Sequence, residues 1–242
     1  MIDLSNRIAL VTGGSRGIGA AAAVELARHG ADVAINYRAD AAAAEAVRAQ
    51  VDALGRRAAV VQADVSVPAD VERLVAEVQG ALGPVDILVN NAGQAHHRGV
   101  DEVTLEDWER TLAVNLTSAW LVTRAVLPHM RAQRWGRIVN VSSGAVQTGG
   151  MVGIHYTASK AAMDGLTRAY ASRLVKEGVT VNTVAPALIH TDMTRNAAER
   201  ARNIPLGRMG TSEECAEAIV LCAGTGYMTG QIVHLNGGLY YR

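Results

Sequence analysis

A glycine-rich turn near the start of the chain limits the possible folds more than any other feature. An apolar run at residues 8–12 leads into Gly13-Gly14-Ser15-Arg16-Gly17-Ile18-Gly19, and Ala, Leu and Val then recur at helical spacing up to Gly30. This order predicts a strand, a tight turn and a helix. Such a turn lets the backbone approach a pyrophosphate, whose negative charge the helix N-terminus favours. A flexible loop is the alternative, but the flanking strand and helix favour nucleotide binding.

The alternation of strand and helix continues to the end of the chain. Predicted strands are residues 8–12, 33–37, 58–62, 85–89, 137–141, 179–185 and 232–235, and predicted helices include residues 40–54, 69–82 and 213–222, a long segment ending near 134 and one carrying Tyr156. This pattern predicts an α/β fold with a doubly wound, mostly parallel seven-stranded sheet and helices on both faces. The strands are apolar throughout, as expected for strands covered on both sides.

Composition agrees with one domain over residues 1–242. The chain is 49% hydrophobic, has 23 basic and 23 acidic residues, and contains neither a basic block nor a membrane-length apolar run. A soluble cytoplasmic protein without nucleic-acid or membrane partners is expected. Cys215 and Cys222 are too far apart along one helix for a disulfide and are expected to be core thiols. No metal-ligand spacing occurs, so no metal site is expected, and His96, His97 and His155 are interpreted as exposed loop residues that could alternatively line a pocket.

Residues 140–160 are where we expect the chemistry. Tyr156 and Lys160 are four residues apart, so a helix places them on one face. The Lys160 ammonium would lower the pKa of the phenol towards neutrality, where a phenol can act as a general acid or base. Ser143 lies upstream in a Ser/Gly-rich loop, from which its hydroxyl can face the phenol. The pair alone is a weak signal, because this spacing is common by chance.

Taken together, the motifs resemble the short-chain dehydrogenase/reductase family. The chain has TGGSRGIG at 12–19, NNAG at 90–93, Asn115, Ser143, and Tyr156 with Lys160, in the family's order and spacing. The resemblance runs from about Arg7 to the C-terminus and is nearest to the 3-oxoacyl-[acyl-carrier-protein] reductase group. It implies a Rossmann fold, an NADP(H) cofactor, a small-molecule carbonyl substrate, and a homotetramer with the helices carrying Asn115 and Tyr156 in one interface.

The resemblance also implies roles for individual residues. Tyr156 would give the proton and Ser143 would orient the carbonyl oxygen, while Lys160 would hold the nicotinamide ribose and Asn115 a water that links Lys160 to solvent. Asp64 and Val65 would contact adenine, and the segment 186–193 would wrap the nicotinamide amide. The expected cofactor-binding set is Gly13, Ser15, Arg16, Gly17, Ile18, Gly19, Arg38, Asp64, Val65, Asn91, Ala92, Gly93, Tyr156, Lys160, Pro186, Ile189 and Thr191.

Several of these residues have alternative interpretations. Ser142 competes with Ser143 for the oxygen contact. Asn115 could be a buried polar residue satisfied within its own helix, and the two asparagines of NNAG could close an Asx turn. Ala187 stands where the family usually has glycine, which restricts the backbone there.

The substrate is less narrowly defined than the cofactor. The lid is expected at about residues 190–210, which carry Arg195, Arg200 and Arg202; these could meet an anionic substrate or form a solvated face. Arg134 matches a position that meets the acidic acyl carrier protein in some relatives, but Glu177 stands at the second basic position, so a carrier is doubtful. The expected reaction is NADPH-dependent reduction of a β-keto ester, 3-oxoacyl thioester or similar ketone. Oxidation of a small alcohol or sugar, and a non-catalytic NADP-binding regulator, are the alternatives.

The choice between NADP and NAD is expected to depend on the end of the second strand. A carboxylate there usually binds the ribose diol, whereas cationic side chains bind a 2′-phosphate. This chain has Asn36-Tyr37-Arg38 with no acid before Asp40, and Arg16 lies in the glycine turn. Two arginines without the acid predict a strong preference for NADPH.

The substitution Arg38→Asp tests this preference. Replacing a charged hydrogen-bond donor to the 2′-phosphate by a carboxylate should lower kcat/KM for NADPH by roughly 10- to 100-fold and spare NADH. Steady-state kinetics with both cofactors measure the effect. Comparable kcat/KM values for the two cofactors in the wild type, or an unchanged preference in the variant, would refute the prediction.

Overall fold

Seven parallel strands form one sheet in the computed structural model, which describes residues 2–194 and 202–241. Along the sheet the order is β3-β2-β1-β4-β5-β6-β7, and every neighbouring pair is parallel. The strands are β1 (Ile8–Val11), β2 (Asp32–Tyr37), β3 (Ala58–Gln62), β4 (Ile87–Asn90), β5 (Gly136–Val141), β6 (Val179–Pro186) and β7 (Ile232–Leu235). The predicted fold class is confirmed, with a sheet that is parallel throughout rather than mostly.

Helices cover both faces of this sheet. Those described are α1 (Gly17–Arg28), α2 (Ala41–Ala53), α3 (Pro68–Ala81), α4 (Leu105–Leu112), α5 (Ser118–Ala132), α6 (Ala145–Thr148), α7 (Ile154–Leu174) and α8 (Ser212–Gly224). Helices α1, α2 and α8 contribute to the core on one face, and α3, α5 and α7 to the core on the other. The short α6 is absent from the sequence-based prediction, and a π-helical turn at Ala113–Thr117 joins α4 to α5.

Alternate residues of the central strands enter different cores, which explains why these strands are apolar throughout. In β1, Ala9 and Val11 pack on the α1 side, whereas Leu10 packs on the α5 side. In β4, Leu88 likewise belongs to the α5 side and its neighbours to the α1 side. Because successive side chains point to opposite faces of a sheet, burial on both faces demands apolar residues at every position.

The strand order reverses direction at β1 and β4, and this arrangement determines where a ligand can bind. After β1 the chain passes to α1 on one face, and after β4 it continues towards α5 on the other. Loops leaving the carboxyl ends of such strands diverge and leave a crevice between them. The glycine turn, the NNAG loop and Ser143 all follow strands at this edge.

Both cysteines lie in α8 and point into the core. Cys215 and Cys222 are buried free thiols, as predicted, and burial raises the pKa of each to about 12. Within residues 2–194 and 202–241, no helix has both the length and the apolar character needed to cross a membrane.

Gly178 connects α7 to β6 in a conformation that other residues rarely adopt. Its φ angle is +80°, and a Cβ atom built on it would lie 1.9 Å from the carbonyl oxygen of Arg134. We predict that Gly178→Ala lowers the free energy of unfolding by at least about 2 kcal/mol, through backbone strain and this clash.

Gly80→Ala is the matched control for this prediction. Gly80 lies within α3 and a Cβ there would meet nothing within 4 Å, so alanine should stabilise the helix by about 0.5–1 kcal/mol. Urea unfolding followed by circular dichroism measures both variants. Equal unfolding midpoints for the two would contradict the argument.

Candidate active site

The glycine turn after β1 adopts the conformation that a nucleotide-binding turn requires. Gly13 and Gly17 have φ angles of +61° and +54°, in the left-handed region. Gly19, in the first turn of α1, has no room for a side chain, because a Cβ would lie 2.3 Å from the carbonyl oxygen of Gly13 and 2.5 Å from Nδ2 of Asn91. The turn is therefore drawn tightly against the start of α1, whose first backbone N–H groups are available to an anion.

Asn36 supports this turn from the neighbouring strand. Its side-chain oxygen accepts a hydrogen bond from the Gly13 N–H at 3.2 Å, and its backbone carbonyl accepts one from the Gly14 N–H at 2.8 Å. Its amide nitrogen donates to the carbonyl of Ala63 at 3.1 Å. In the sequence, Asn36 shows only that no acid stands at this position. A polar residue within an otherwise apolar strand, which the structure shows to be buried, is the signal that could have indicated its contact with the turn.

Thr12 and Asn91 connect the glycine turn to the NNAG loop. The Thr12 hydroxyl accepts hydrogen bonds from the backbone N–H groups of Asn91 and Ala92, both at 3.0 Å. The Asn91 side chain donates to the carbonyls of Thr12 and Gly13, also at 3.0 Å. Asn90 instead bonds Thr123 and Asn140. The alternative of an Asx turn is therefore wrong for both asparagines.

Ser143, Tyr156 and Lys160 come together at the carboxyl end of β5 and the start of α7. The Ser143 hydroxyl acts on the Tyr156 phenol and lowers its pKa, and both side chains line the same cavity. Ser142 turns the other way, and its hydroxyl donates to the backbone carbonyl of Lys160 at 3.0 Å. Of the two candidate serines, the structure therefore places Ser143 beside the phenol.

The expected lowering of the Tyr156 pKa is wrong for this arrangement of side chains. Tyr156 is 9% exposed, and burial raises the pKa of its phenol, against the opposing hydrogen bond from Ser143. The Lys160 ammonium lies 6.0 Å from the centre of the phenol ring and donates to the carbonyl of Val141 at 2.8 Å. Burial lowers the pKa of Lys160 to about 8. The loss of solvation on burial therefore affects the pKa of Tyr156 more than attraction to the Lys160 ammonium does. The four-residue spacing alone does not indicate this.

Asn115 lies in the π-helical turn between α4 and α5 and is fully buried. Its side chain accepts a hydrogen bond from the Gln94 N–H at 2.8 Å, and donates to the Gln94 carbonyl at 3.0 Å and to Ser159 at 3.1 Å. The alternative that Asn115 is satisfied within its own helix is wrong, since all these partners lie in other segments. A Cβ on Gly93 would lie 3.4 Å from both Asn115 and Lys160, so this glycine sits between the two side chains.

A cavity of about 660 Å³ opens at this edge of the sheet. It brings together many of the residues that the sequence predicts for the site. These are Ile18, Asn91, Gly93, Ser143, Tyr156, Lys160, Pro186, Ile189 and Thr191. Gly13, Ser15, Gly17, Gly19, Ala92 and Asn115 do not line the cavity.

The residues predicted near the adenosine end lie outside this cavity. Arg16 and Arg38 are exposed, at the start of α1 and just after β2. Asp40, the first acid after β2, caps α2 by accepting a hydrogen bond from the Ala43 N–H at 3.0 Å. Asp64 accepts hydrogen bonds from the backbone and hydroxyl of Ser66, at 3.0 and 2.6 Å, and Val65 is buried.

His155 is fully buried, so its interpretation as an exposed loop residue is wrong. It belongs to the first turn of α7, and its ring nitrogen Nε2 is 3.1 Å from the carbonyl of His96. Nearby, the Arg98 N–H donates to the carbonyl of Val152 at 2.9 Å, and Nδ1 of His97 lies 3.2 Å from the carbonyl of Met151. We call the segments 96–98 and 151–155, which these contacts join, the joined wall; His97, Met151 and Val152 of this wall line the cavity.

The opposite side of the cavity is formed by the chain after β6. Ala187 fits there without a left-handed backbone, and its N–H donates to the carbonyl of Leu235 at 2.8 Å. Leu188 and Met193 line the cavity, and Arg202 is exposed. Residues 195–201 of the predicted lid, with Arg195 and Arg200, lie outside the described residues. Those described contain no group of three or more His, Cys, Asp or Glu side chains that could hold a metal ion.

Comparisons with known proteins agree with this geometry. A family model described as short chain dehydrogenase matches residues 7–202. The 3-oxoacyl-[acyl-carrier-protein] reductase of Synechocystis sp. is 41% identical over 244 aligned positions, covering 99% of each chain. The acetoacetyl-CoA reductase of Allochromatium vinosum is 42% identical, over 97% of this chain and 98% of that one. A solved short-chain dehydrogenase/reductase from Serratia marcescens has a TM-score of 0.91 at 37% identity, covering 98% of both chains.

The family match includes the glycine turn, Asn115, Ser143, Tyr156 and Lys160, and the similar proteins align over nearly the whole chain. Fold, site geometry and sequence similarity lead to one conclusion. The chain is an oxidoreductase that belongs to the short-chain dehydrogenase/reductase family.

Proposed function

We propose that this protein uses NADPH to reduce a 3-oxoacyl thioester, or a β-keto ester of similar shape, to a secondary alcohol. The observation that carries the proposal is that Tyr156 and Ser143 line one cavity together with Lys160 and Ile18. A proton donor, a hydroxyl for the carbonyl oxygen and the end of the glycine turn thus share one space.

The residues present fit a dinucleotide. The turn glycines and the N-terminus of α1 would hold the pyrophosphate, because the left-handed Gly13 and Gly17 shape the turn and the first N–H groups of a helix favour an anion. Arg16 and Arg38 would hold the 2′-phosphate of NADP, since Asp40 is engaged in capping α2 and leaves no acid at the end of β2. Bound in this way, NADPH would supply a hydride to the substrate carbonyl carbon.

Tyr156 then gives its proton to the carbonyl oxygen as negative charge develops there. A phenol whose pKa is raised is protonated at neutral pH, so Tyr156 has a proton to give when the reaction begins. Ser143 donates a second hydrogen bond to the same oxygen and orients it. Lys160 would hold the ribose hydroxyls of the bound cofactor and stabilise the phenolate, and Asn115 would hold the water through which Lys160 exchanges its proton with solvent.

The cavity wall supports an acyl substrate. Met151, Val152, Leu188, Met193 and Leu239 give the cavity apolar surface away from Tyr156, which suits a hydrocarbon chain next to a β-keto group. Similar proteins carry the names 3-oxoacyl-[acyl-carrier-protein] reductase and acetoacetyl-CoA reductase, so both carrier-bound and coenzyme A thioesters are reasonable substrates.

A carrier protein is the less favoured donor of the substrate. Glu177 forms an ion pair with Arg131, and the Arg134 guanidinium donates to the carbonyl of Lys176 at 3.0 Å. A paired carboxylate, Glu177, therefore stands at the second of the two positions where an acidic partner would meet a cation.

We also propose a homotetramer, which the exposed apolar side chains of Leu105 on α4 and Trp120 on α5 support.

An assay of NADPH oxidation tests the proposed function directly. Simple ketones, β-keto esters, and 3-oxoacyl thioesters of coenzyme A and of acyl carrier protein are compared under the same conditions. The proposal expects the highest kcat/KM with a 3-oxoacyl compound. Binding of NADPH without oxidation across the whole panel would support the non-catalytic regulator instead.

Tyr156→Phe should lower kcat by roughly 10²- to 10⁴-fold, because the variant has no phenolic proton to give. Affinity for NADPH, measured by fluorescence titration, should change little. Tyr170→Phe is the matched control, since it removes a hydroxyl from the same helix far along its length. If Tyr156→Phe kept most of the wild-type rate, Tyr156 would not be the proton donor.

Gly19→Ala should raise the Kd for NADPH by at least roughly 10-fold, because the new methyl group would push apart the glycine turn and the NNAG loop. Gly165→Ala in α7, where a Cβ meets nothing within 4 Å, serves as the control. Fluorescence titration gives the Kd, and thermal unfolding shows that each variant is folded. Wild-type affinity in Gly19→Ala would contradict the placement of the cofactor.

A further inference from the structure

A buried carboxyl lies one helical turn beyond Lys160, and the proposed reaction gives it no role. Asp164 is 4% exposed and follows Lys160 by four positions in α7, so the two side chains share a helix face. The Ser142 hydroxyl, which donates to the backbone carbonyl of Lys160 at 3.0 Å, also lowers the pKa of the Asp164 carboxyl. Oδ1 of Asp164 has no hydrogen-bond partner among the described residues.

The groups that act on Asp164 are cations and hydrogen-bond donors. Lys160 and Arg168 face it from α7, and His234 faces it from β7. Burial raises the pKa of the Asp164 carboxyl, while Ser142 and these three groups oppose the increase without cancelling it. A buried carboxylate is costly unless it is compensated, and the positive charges of Lys160 and Arg168 offset part of that cost.

The Lys160 ammonium is also a buried charge, of the opposite sign. It is 4% exposed, and its ammonium donates to an uncharged group, the carbonyl of Val141. The pKa of Lys160 is lowered to about 8 by burial, and the charge of Asp164 opposes this lowering. Small changes in the surroundings would therefore decide whether Lys160 is charged at the pH at which the protein works.

We propose that Asp164 is a positioning residue that acts through Lys160, as the buried counter-charge that keeps this side chain in its ammonium form. The inference rests on the proposed function for its catalytic consequence, because the cationic form of Lys160 is the one that binds ribose hydroxyls and stabilises a phenolate. The effect of Asp164 on the charge of Lys160 concerns the protein alone and can be measured without a substrate.

The lysine content of the chain makes the measurement direct. The sequence contains two lysines, Lys160 and Lys176, and Lys176 is exposed. Full-length protein labelled with ¹³C at the lysine ε-carbon would give one resonance for each, and Lys176→Arg would assign them. Titration of the Lys160 resonance with pH gives its midpoint in the wild type and in variants.

Asp164→Asn should move the Lys160 midpoint down by about one pH unit, the scale expected when a neighbouring opposite charge is removed. Asp164→Glu, which keeps the charge, should restore much of it. Glu177→Gln is the matched control, because it removes a carboxylate next to Lys176 and should leave the Lys160 midpoint unchanged. If Asp164→Asn does not fold, Asp164→Ile removes the same charge with an apolar side chain and should give the same shift.

An unchanged Lys160 midpoint in the folded variant would overturn the proposal, since Asp164 would then be uncharged or too weakly coupled. Kinetics give a second readout. The basic limb of the pH profile of kcat/KM should move to lower pH in Asp164→Asn, in parallel with the Lys160 midpoint. If the wild type reduces none of the carbonyl compounds, the proposed function fails, but the titration still decides the role of Asp164.

Discussion

Hydrogen bonds between the carboxyl ends of β1 and β4 are the contact on which the site depends. The chain leaves these two strands towards opposite faces of the sheet, so their loops would diverge without a direct connection. Thr12 and Asn91 provide it, through hydrogen bonds that run in both directions between the glycine turn and the NNAG loop. Gly19 packs against the same junction. The glycine turn and the NNAG loop, whose Gly93 lies next to Lys160, are consequently parts of one hydrogen-bonded unit.

A second set of polar contacts fixes α7 on the sheet. Asn90, Asn140 and Thr183 are in register on three adjacent strands. Asn90 donates to Asn140 at 2.9 Å, Asn140 donates to Thr167 of α7 at 2.8 Å, and the Thr167 and Thr183 hydroxyls are 2.7 Å apart. Buried polar networks of this kind specify one packing arrangement because any other leaves polar groups unsatisfied. Tyr156 and Lys160 owe their positions over β5 and β6 to this registration of their helix.

The fold could be predicted from the sequence for two reasons. Burial on both faces leaves a continuous apolar pattern in every central strand, and glycines mark where α1 begins and ends. It also brought Ser143, Tyr156 and Lys160 to one site, since family spacing carries that information. The pKa of Tyr156 was predicted in the wrong direction, because it depends on desolvation and on which acceptor Lys160 finds. His155 was misjudged for a similar reason, as its burial depends on the loop at His96, far away in the sequence.

The joined wall has a consequence for where the shape of the cavity can change. Its two segments are tied through His155, His97 and Arg98, so a change at one segment is transmitted to the other and to the start of the helix that holds Tyr156. Leu188 and Met193, which also line the cavity, have no such connection to Tyr156 among the described contacts. Variation in evolution or by engineering should therefore accumulate at these two positions, where the shape of the pocket can change while Tyr156 and Ser143 stay aligned.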